Sequence, residues 1–175
     1  VAAVLTGAVC GACSGTFVAK MAIPPFIATL GMMLILKGLS LVISGTRPIY
    51  FNDTPGFSEI SRGSLIGEVI PSLPIPNGVL ILFIVAAVTA YILNRTVLGR
   101  YCFALGSNEE SVRLSGVNTD RWKIAIYALA GSIVGIAGLL IASRLNSAQP
   151  ALGLGYELEA IAAVVIGGTS LSGGR

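Results

Sequence analysis

The sequence predicts an all-α, polytopic integral membrane protein with four spans plus a short re-entrant or fifth span. Three observations carry that expectation. Charged residues make up 11% of the 175 positions, apolar residues 54%, and glycine 22 positions. A soluble domain carries about 25% charged residues, so charges this sparse cannot cover a water-facing surface. Apolar runs approach the ~20 residues that cross a bilayer. Basic residues cluster beside those runs, which is a topology signal and not a nucleic-acid patch. No nucleic-acid partner is expected, and the lipid bilayer is the expected surrounding.

Residues 1–19 form the first candidate span. Ala3, Gly7, Gly11, Gly15 and Ala19 recur every four residues, which lines one helix face with small groups and lets a second helix approach closely. Cys10 and Cys13 spell a CxxC inside this run. With no His and no second Cys pair to complete a metal site, they read as small apolar fillers. Residues 20–25 are a break, because Pro24 and Pro25 suit a turn and a new helix start but not a helix interior. Residues 26–44 form the second span. Lys37 lies inside it, where a charge is costly, so it either snorkels or faces the protein interior, and its distance from both ends favours the interior.

Residues 45–77 differ in kind. They hold Pro48, Pro55, Pro71, Pro74 and Pro76, the acids Asp53, Glu59 and Glu68, and only Arg47 and Arg62 as bases. Turn formers break the stretch repeatedly, and its low basic content places it outside. Small amphipathic pieces on the membrane surface are expected there. Residues 78–93 are sixteen positions without a charge, the third span.

Residues 94–123 are the longest charged, polar run. They contain Arg95, Arg100, Arg113, Arg121 and Lys123, five of the eleven basic residues. The run reads as a loop on the cytoplasmic side, the side on which Lys20 also falls. Within it, Ser107-Asn-Glu-Glu110 has the form of a capping box, in which Ser107 and Glu110 would satisfy each other's backbone N–H groups. A helix of about two turns over 108–115 is expected, stopped by Gly116 in a left-handed conformation. Glu109 and Arg113 ride on it.

Residues 124–142 form the fourth span, with Gly131, Gly135 and Gly138 on a close-packing face. An outer connection follows over 144–156. Residues 158–171 are apolar but short for a crossing. They read as a half-length or re-entrant helix, or as a span that starts earlier, near Ala151. Glu157 and Glu159 precede it, suited to a helix N-terminus or to lining a polar route. Asn146, Gln149, Tyr156 and Glu157 are polar groups beside spans and are the solute-path candidates. The chain opens at Val1 within an apolar run and closes after a Gly-Gly pair, so all of 1–175 reads as a fragment of one transmembrane domain.

Catalysis finds no constellation here: there is no His, no acid pair facing a nucleophile and no metal-ligand cluster. Residues 167–175 are Gly-rich but lack the Gly-Lys-Ser/Thr of a phosphate loop. No catalytic residue, cofactor or metal is expected.

The run from Leu98-Gly-Arg-Tyr101 to Arg113-Leu-Ser-Gly-Val117 resembles the coupling loop of ATP-binding-cassette importer permeases of the ribose, xylose and galactoside class. Glu110-Ser-Val-x-x-x-Gly116 is similar to their EAA-x-x-x-G signature, with Ser111 and Val112 where alanines stand. Pro25-Phe-Ile-Ala-Thr-Leu-Gly31, Ser147-Ala-Gln-Pro150 and the run from Gly155 to Ser170 resemble further motifs of the family, in the same order.

The resemblance implies a permease subunit that imports a monosaccharide or similar small polar solute across the bacterial cytoplasmic (inner) membrane. It implies a cytoplasmic ATPase subunit docked on 107–116, with Ser107, Glu109, Glu110, Arg113 and Gly116 as the coupling residues. It also implies an extracytoplasmic solute-binding protein and a second permease copy or homologue. The subunit itself would hydrolyse nothing. An ion-coupled secondary transporter is the alternative, but buried carboxylates or broken helices near mid-membrane are its usual parts, and Lys37 is the clear mid-span charge here.

Overall fold

The structure is a computed structural model that describes residues 1–51, 56–64, 75–150 and 152–168. Asp53, Pro55, Glu68, Pro71 and Pro74 of the outer loop, Ala151, and residues 169–175 lie outside the described residues.

Four long apolar helices dominate: α1 (Ala2–Lys20), α2 (Pro25–Ser44), α4 (Asn77–Arg95) and α7 (Thr119–Leu145). All four have the length and composition of membrane spans. Among the described residues four short helices accompany them: α3 (Glu59–Arg62), α5 (Val97–Ser107), α6 (Glu109–Leu114) and α8 (Tyr156–Ile166). A two-residue antiparallel ladder joins β1 (Ile49–Tyr50) to β2 (Ser147–Ala148), with Ile49 opposite Ala148 and Tyr50 opposite Ser147.

The span boundaries follow local chemistry. Pro25 occupies the first turn of α2, where its missing N–H is no loss. Gly45 ends α2 in a left-handed conformation, φ +57°, and the Thr46 N–H donates back to Leu41 at 3.0 Å. Asn118 opens α7, its side-chain oxygen accepting from the Arg121 N–H at 3.1 Å.

Only Val18 and Ala28 are buried apolar residues among the described ones. Long apolar side chains such as Leu34, Leu82, Phe83 and Val134 stand open instead. That distribution suits an oily surrounding, because lipid does not drive these groups inward. What holds the bundle is backbone approach. Along the α1–α7 interface Gly7 and Gly11 meet Gly131, and Gly135 meets Ala3 and Val4. The glycine ridge expected from sequence therefore finds its partner, except that a Cβ at Gly138 would meet nothing within 4 Å. Gly138 is not part of the close approach.

The two ends of α7 carry different structures. At its first turns the Tyr101 ring of α5 packs on Trp122, ring centroids 4.5 Å apart. At its last turns Ser143, fully buried, donates to the Phe57 carbonyl at 2.7 Å and accepts from the Ser61 N–H at 3.1 Å. Ser143 therefore fastens the 56–64 segment and α3 to the bundle. Ser143→Ala is expected to lower stability by about 1–3 kcal/mol, because it leaves the buried Ser61 N–H without its acceptor. Thermal unfolding of the detergent-solubilised protein measures this, and an unchanged midpoint would contradict it.

Two corrections concern helix extents. The charged connection 94–123 holds more helix than the one expected over 108–115: α4 runs on to Arg95, α5 fills 97–107, and α7 begins at Thr119. Residues 152–155 form turns, and α8 begins at Tyr156, so the apolar helix does not start near Ala151. Its eleven residues rise about 16 Å, half a hydrocarbon thickness.

Candidate functional site

At the end of the bundle where α1 and α2 meet, three elements build a charged face: α5, α6 and the first turn of α7. The chain leaves α4 through Thr96, whose hydroxyl donates to the Ile92 carbonyl at 2.6 Å and caps α5 by accepting from the Gly99 N–H at 3.4 Å. Glycine is required at position 99, since a Cβ there would collide with the Leu93 backbone. α5 then runs to Ser107, and Asn108 turns the chain in extended conformation into α6.

The capping box falls one residue later than its sequence form suggests. Ser107 is the last residue of α5 and not the cap. The cap is Asn108, whose Oδ1 accepts from the Ser111 N–H at 3.0 Å. Asn and Ser are equally good caps, and continuation of α5 through Ser107 decides between them. α6 accordingly spans Glu109–Leu114 in place of the expected 108–115. Gly116 follows at φ +84°, its N–H donating to the Arg113 carbonyl at 3.1 Å. The left-handed stop stands where the sequence predicts it.

Glu109, Glu110 and Arg113 lie on α6, with Ser107 at the end of α5 before it and Gly116 in the turn after it, all five exposed. Glu109 Oε1 pairs with Lys123 Nζ and so braces α6 against α7. Glu109 and Arg113 also line a groove of about 580 Å³ together with Asp120, Lys123, Cys102 and Pro24. Burial pushes the Cys102 thiol above its ordinary pKa. Leu114, at the C-terminal end of α6, is 82% exposed. The Glu109–Lys123 brace, the Asn108 cap and the Leu114 apolar tip were not read from the sequence. Asn108-x-x-Ser111 was the local signal for the cap.

At the other end of α2 a cavity of about 570 Å³ lies among α2, the β1–β2 ladder and the start of α8. Gln149 and Glu157 both line it. Glu157 sits in the first turn of α8, one oxygen accepting from the Gly155 N–H at 3.1 Å. Gln149 is exposed, with its Nε2 donating to Ser147 Oγ at 3.4 Å. Asn146 and Tyr156 are not on that cavity wall. Asn146 ends α7 in a left-handed conformation, φ +53°, and its carbonyl accepts from the Phe51 N–H at 3.1 Å. Tyr156 opens α8 half exposed.

Residues 1–174 match the family described as branched-chain amino acid transport system / permease component. The chain belongs to that family. The ribose import permease protein of Escherichia coli is 46% identical over 176 residues, covering 99% of this chain and 53% of that protein. The fructose import permease protein of Rhizobium meliloti is 39% identical over 169 residues, 97% of this chain and 47% of that protein. The L-arabinose transport system permease protein of Escherichia coli is 38% identical over 161 residues, 92% and 47% respectively. No solved structure matches. The chain spans about half the length of the curated relatives it matches. Membership in a permease family agrees with the importer resemblance and not with the ion-coupled alternative.

Proposed function

We propose that this chain is part of the membrane-spanning permease of an ATP-driven importer for a monosaccharide or a similar small polar solute. The observation that carries the proposal is α6. It is short, capped at both ends, braced to the span α7 by Glu109–Lys123, and presented outward. Its family relatives bear the names of sugar permeases. An apolar tip at Leu114 beside charged Glu110 and Arg113 is the mixture on which a partner protein seats: an anchor with a polar rim.

In this reading α5, α6 and the start of α7 face the cytoplasm, as their basic content favours. A separate ATPase subunit docks on α6, hydrolyses ATP and moves α7 through the brace. The opposite end, with α3 and the β1–β2 ladder, faces outward in the bacterial cytoplasmic membrane. A solute-binding protein delivers its cargo there, with Gln149 and Glu157 on the route, and a second permease copy or homologue completes the pore.

The test is uptake of D-ribose, D-fructose and L-arabinose into proteoliposomes holding the full-length permease with its ATPase and binding protein. Uptake of at least one sugar is expected, and only with ATP on the ATPase side. Equal uptake with the ATPase left out would overturn the proposal.

A further inference from the structure

Lys37 sits thirteen residues into α2, seven residues or about 10 Å short of the helix end at Ser44. A cation at that depth is costly unless it is paired or faces a polar space. Glu109–Lys123 is the ion pair among the described residues, so no described carboxylate neutralises Lys37. It lines the 570 Å³ cavity instead, sharing the walls with Gln149 and Glu157. That volume falls within the range of about 300–1,000 Å³ typical of small-molecule sites. The remaining wall is largely apolar, with Met33, Ile49 and Leu152 among its residues.

The polar groups have complementary chemistry. An ammonium only donates hydrogen bonds, a carboxylate only accepts them, and an amide does both. Glu157 commits one acceptor site to the Gly155 N–H, and its second oxygen is left to accept. A cation and an anion across one cavity, unpaired with each other, disfavour a solute of either net charge, and between a zwitterion and a polyhydroxyl solute the sugar names of the relatives favour the second. A neutral solute rich in hydroxyls satisfies both, because each hydroxyl donates and accepts. Apolar wall residues suit the C–H faces of such a solute.

We propose that Lys37, Gln149 and Glu157 form one contact site for an uncharged polyhydroxyl solute passing through the permease. This rests on the importer reading above and adds the residue that recognises the cargo within the membrane. Lys37 is thereby a specificity-determining residue and not a packing accident.

The test uses the reconstituted full complex, with D-ribose, D-fructose and L-arabinose as probes and two readouts: uptake rate, and ATP hydrolysis stimulated by the loaded binding protein. Lys37→Met and Glu157→Gln are each expected to slow uptake about tenfold or more, the effect of losing a hydrogen bond to a charged group. ATP hydrolysis continues in both, because α6 and its docking face are untouched. Lys37→Arg, which keeps the charge and donors, is expected to recover most of the uptake. Unchanged uptake in Lys37→Met would overturn the proposal. So would wild-type uptake in the exchanged pair Lys37→Glu with Glu157→Lys, which would make the two a simple ion pair. Parallel loss of uptake and hydrolysis in both Lys37→Met and Lys37→Arg would assign Lys37 to folding. Failure of the wild-type complex to take up any probe sinks the importer reading, an outcome distinct from these.

Discussion

Gly131→Leu is expected to yield a permease that does not survive extraction as a folded species. Where α1 and α7 cross, a Cβ on Gly131 would collide with the Gly7 carbonyl oxygen and stand 3.0 Å from the Gly11 Cα. These obstacles are backbone atoms, so no rotamer change relieves them. The helices must separate, and with them go the close contacts of Gly7, Gly11 and Gly135. In water, exposed apolar surface would pull the helices together again. In lipid that force is missing, and close packing is what holds the pair. Overpacking one site costs about 1–3 kcal/mol, and here the whole interface opens, so about 3 kcal/mol or more is expected.

Gly138→Leu is the control, since its Cβ meets nothing within 4 Å. Its effect should stay within about 0.5 kcal/mol. Size-exclusion recovery and thermal unfolding in mild detergent read both variants. Equal behaviour of the two would show that the glycine interface does not hold the helices together.

That interface was half legible in the sequence. The four-residue spacing announced a small-residue face on α1, and glycines on α7 announced its partner, but spacing alone put Gly138 on the same face. Which turn of one helix meets which turn of the other depends on crossing angle and depth, and those are properties of the pair. The first three spans were read within two residues at each end, because length and charge are local quantities and the bilayer imposes both; the fourth starts five residues before the expected 124 and ends three after 142. Ser143 was not read at all. It is one serine in an apolar helix, and its partners Phe57 and Ser61 lie 86 and 82 positions away.

α5 was missed for another reason. Its charge and its glycines made 97–107 look like loop, although Thr96 stood where a cap belongs. Gly99 weakens the helical pattern, yet the tight corner at Leu93 requires it. Lys37 was legible as an expensive charge, but its cavity was not, since that cavity is assembled from α2, β2 and α8. The residues proposed for coupling fall close together in space because they lie within ten positions of one another in the chain. Their cap was misplaced by one residue because Ser107 and Asn108 compete for the same role.

Gly116→Pro is expected to separate ATP hydrolysis from the arrival of solute while leaving the permease in the membrane. α6 has six residues, far fewer than an isolated helix needs in water. It persists through three supports: the Asn108 cap, the Glu109–Lys123 brace and the left-handed turn at Gly116. Proline removes the third outright. Its ring holds φ near −65°, against +84° here, and it lacks the N–H that reaches the Arg113 carbonyl. The C-terminal end of α6 must then unwind, which carries Leu114 and Arg113 away from their present places. The spans α4 and α7 keep their own hydrogen bonds, so insertion is unaffected.

Stimulation of ATP hydrolysis by the loaded binding protein should fall between about 5- and 150-fold, the span of ordinary coupling energies between two sites. Gly116→Ala keeps the N–H and pays only the left-handed penalty of about 1–2 kcal/mol, so a smaller, graded loss is expected. The pair of variants separates two meanings of α6. A rod that transmits force fails by degrees as its end loosens, in the order Ala then Pro. A helix that merely tidies the connection between spans leaves stimulation intact in both, and that result would detach α6 from the transport cycle.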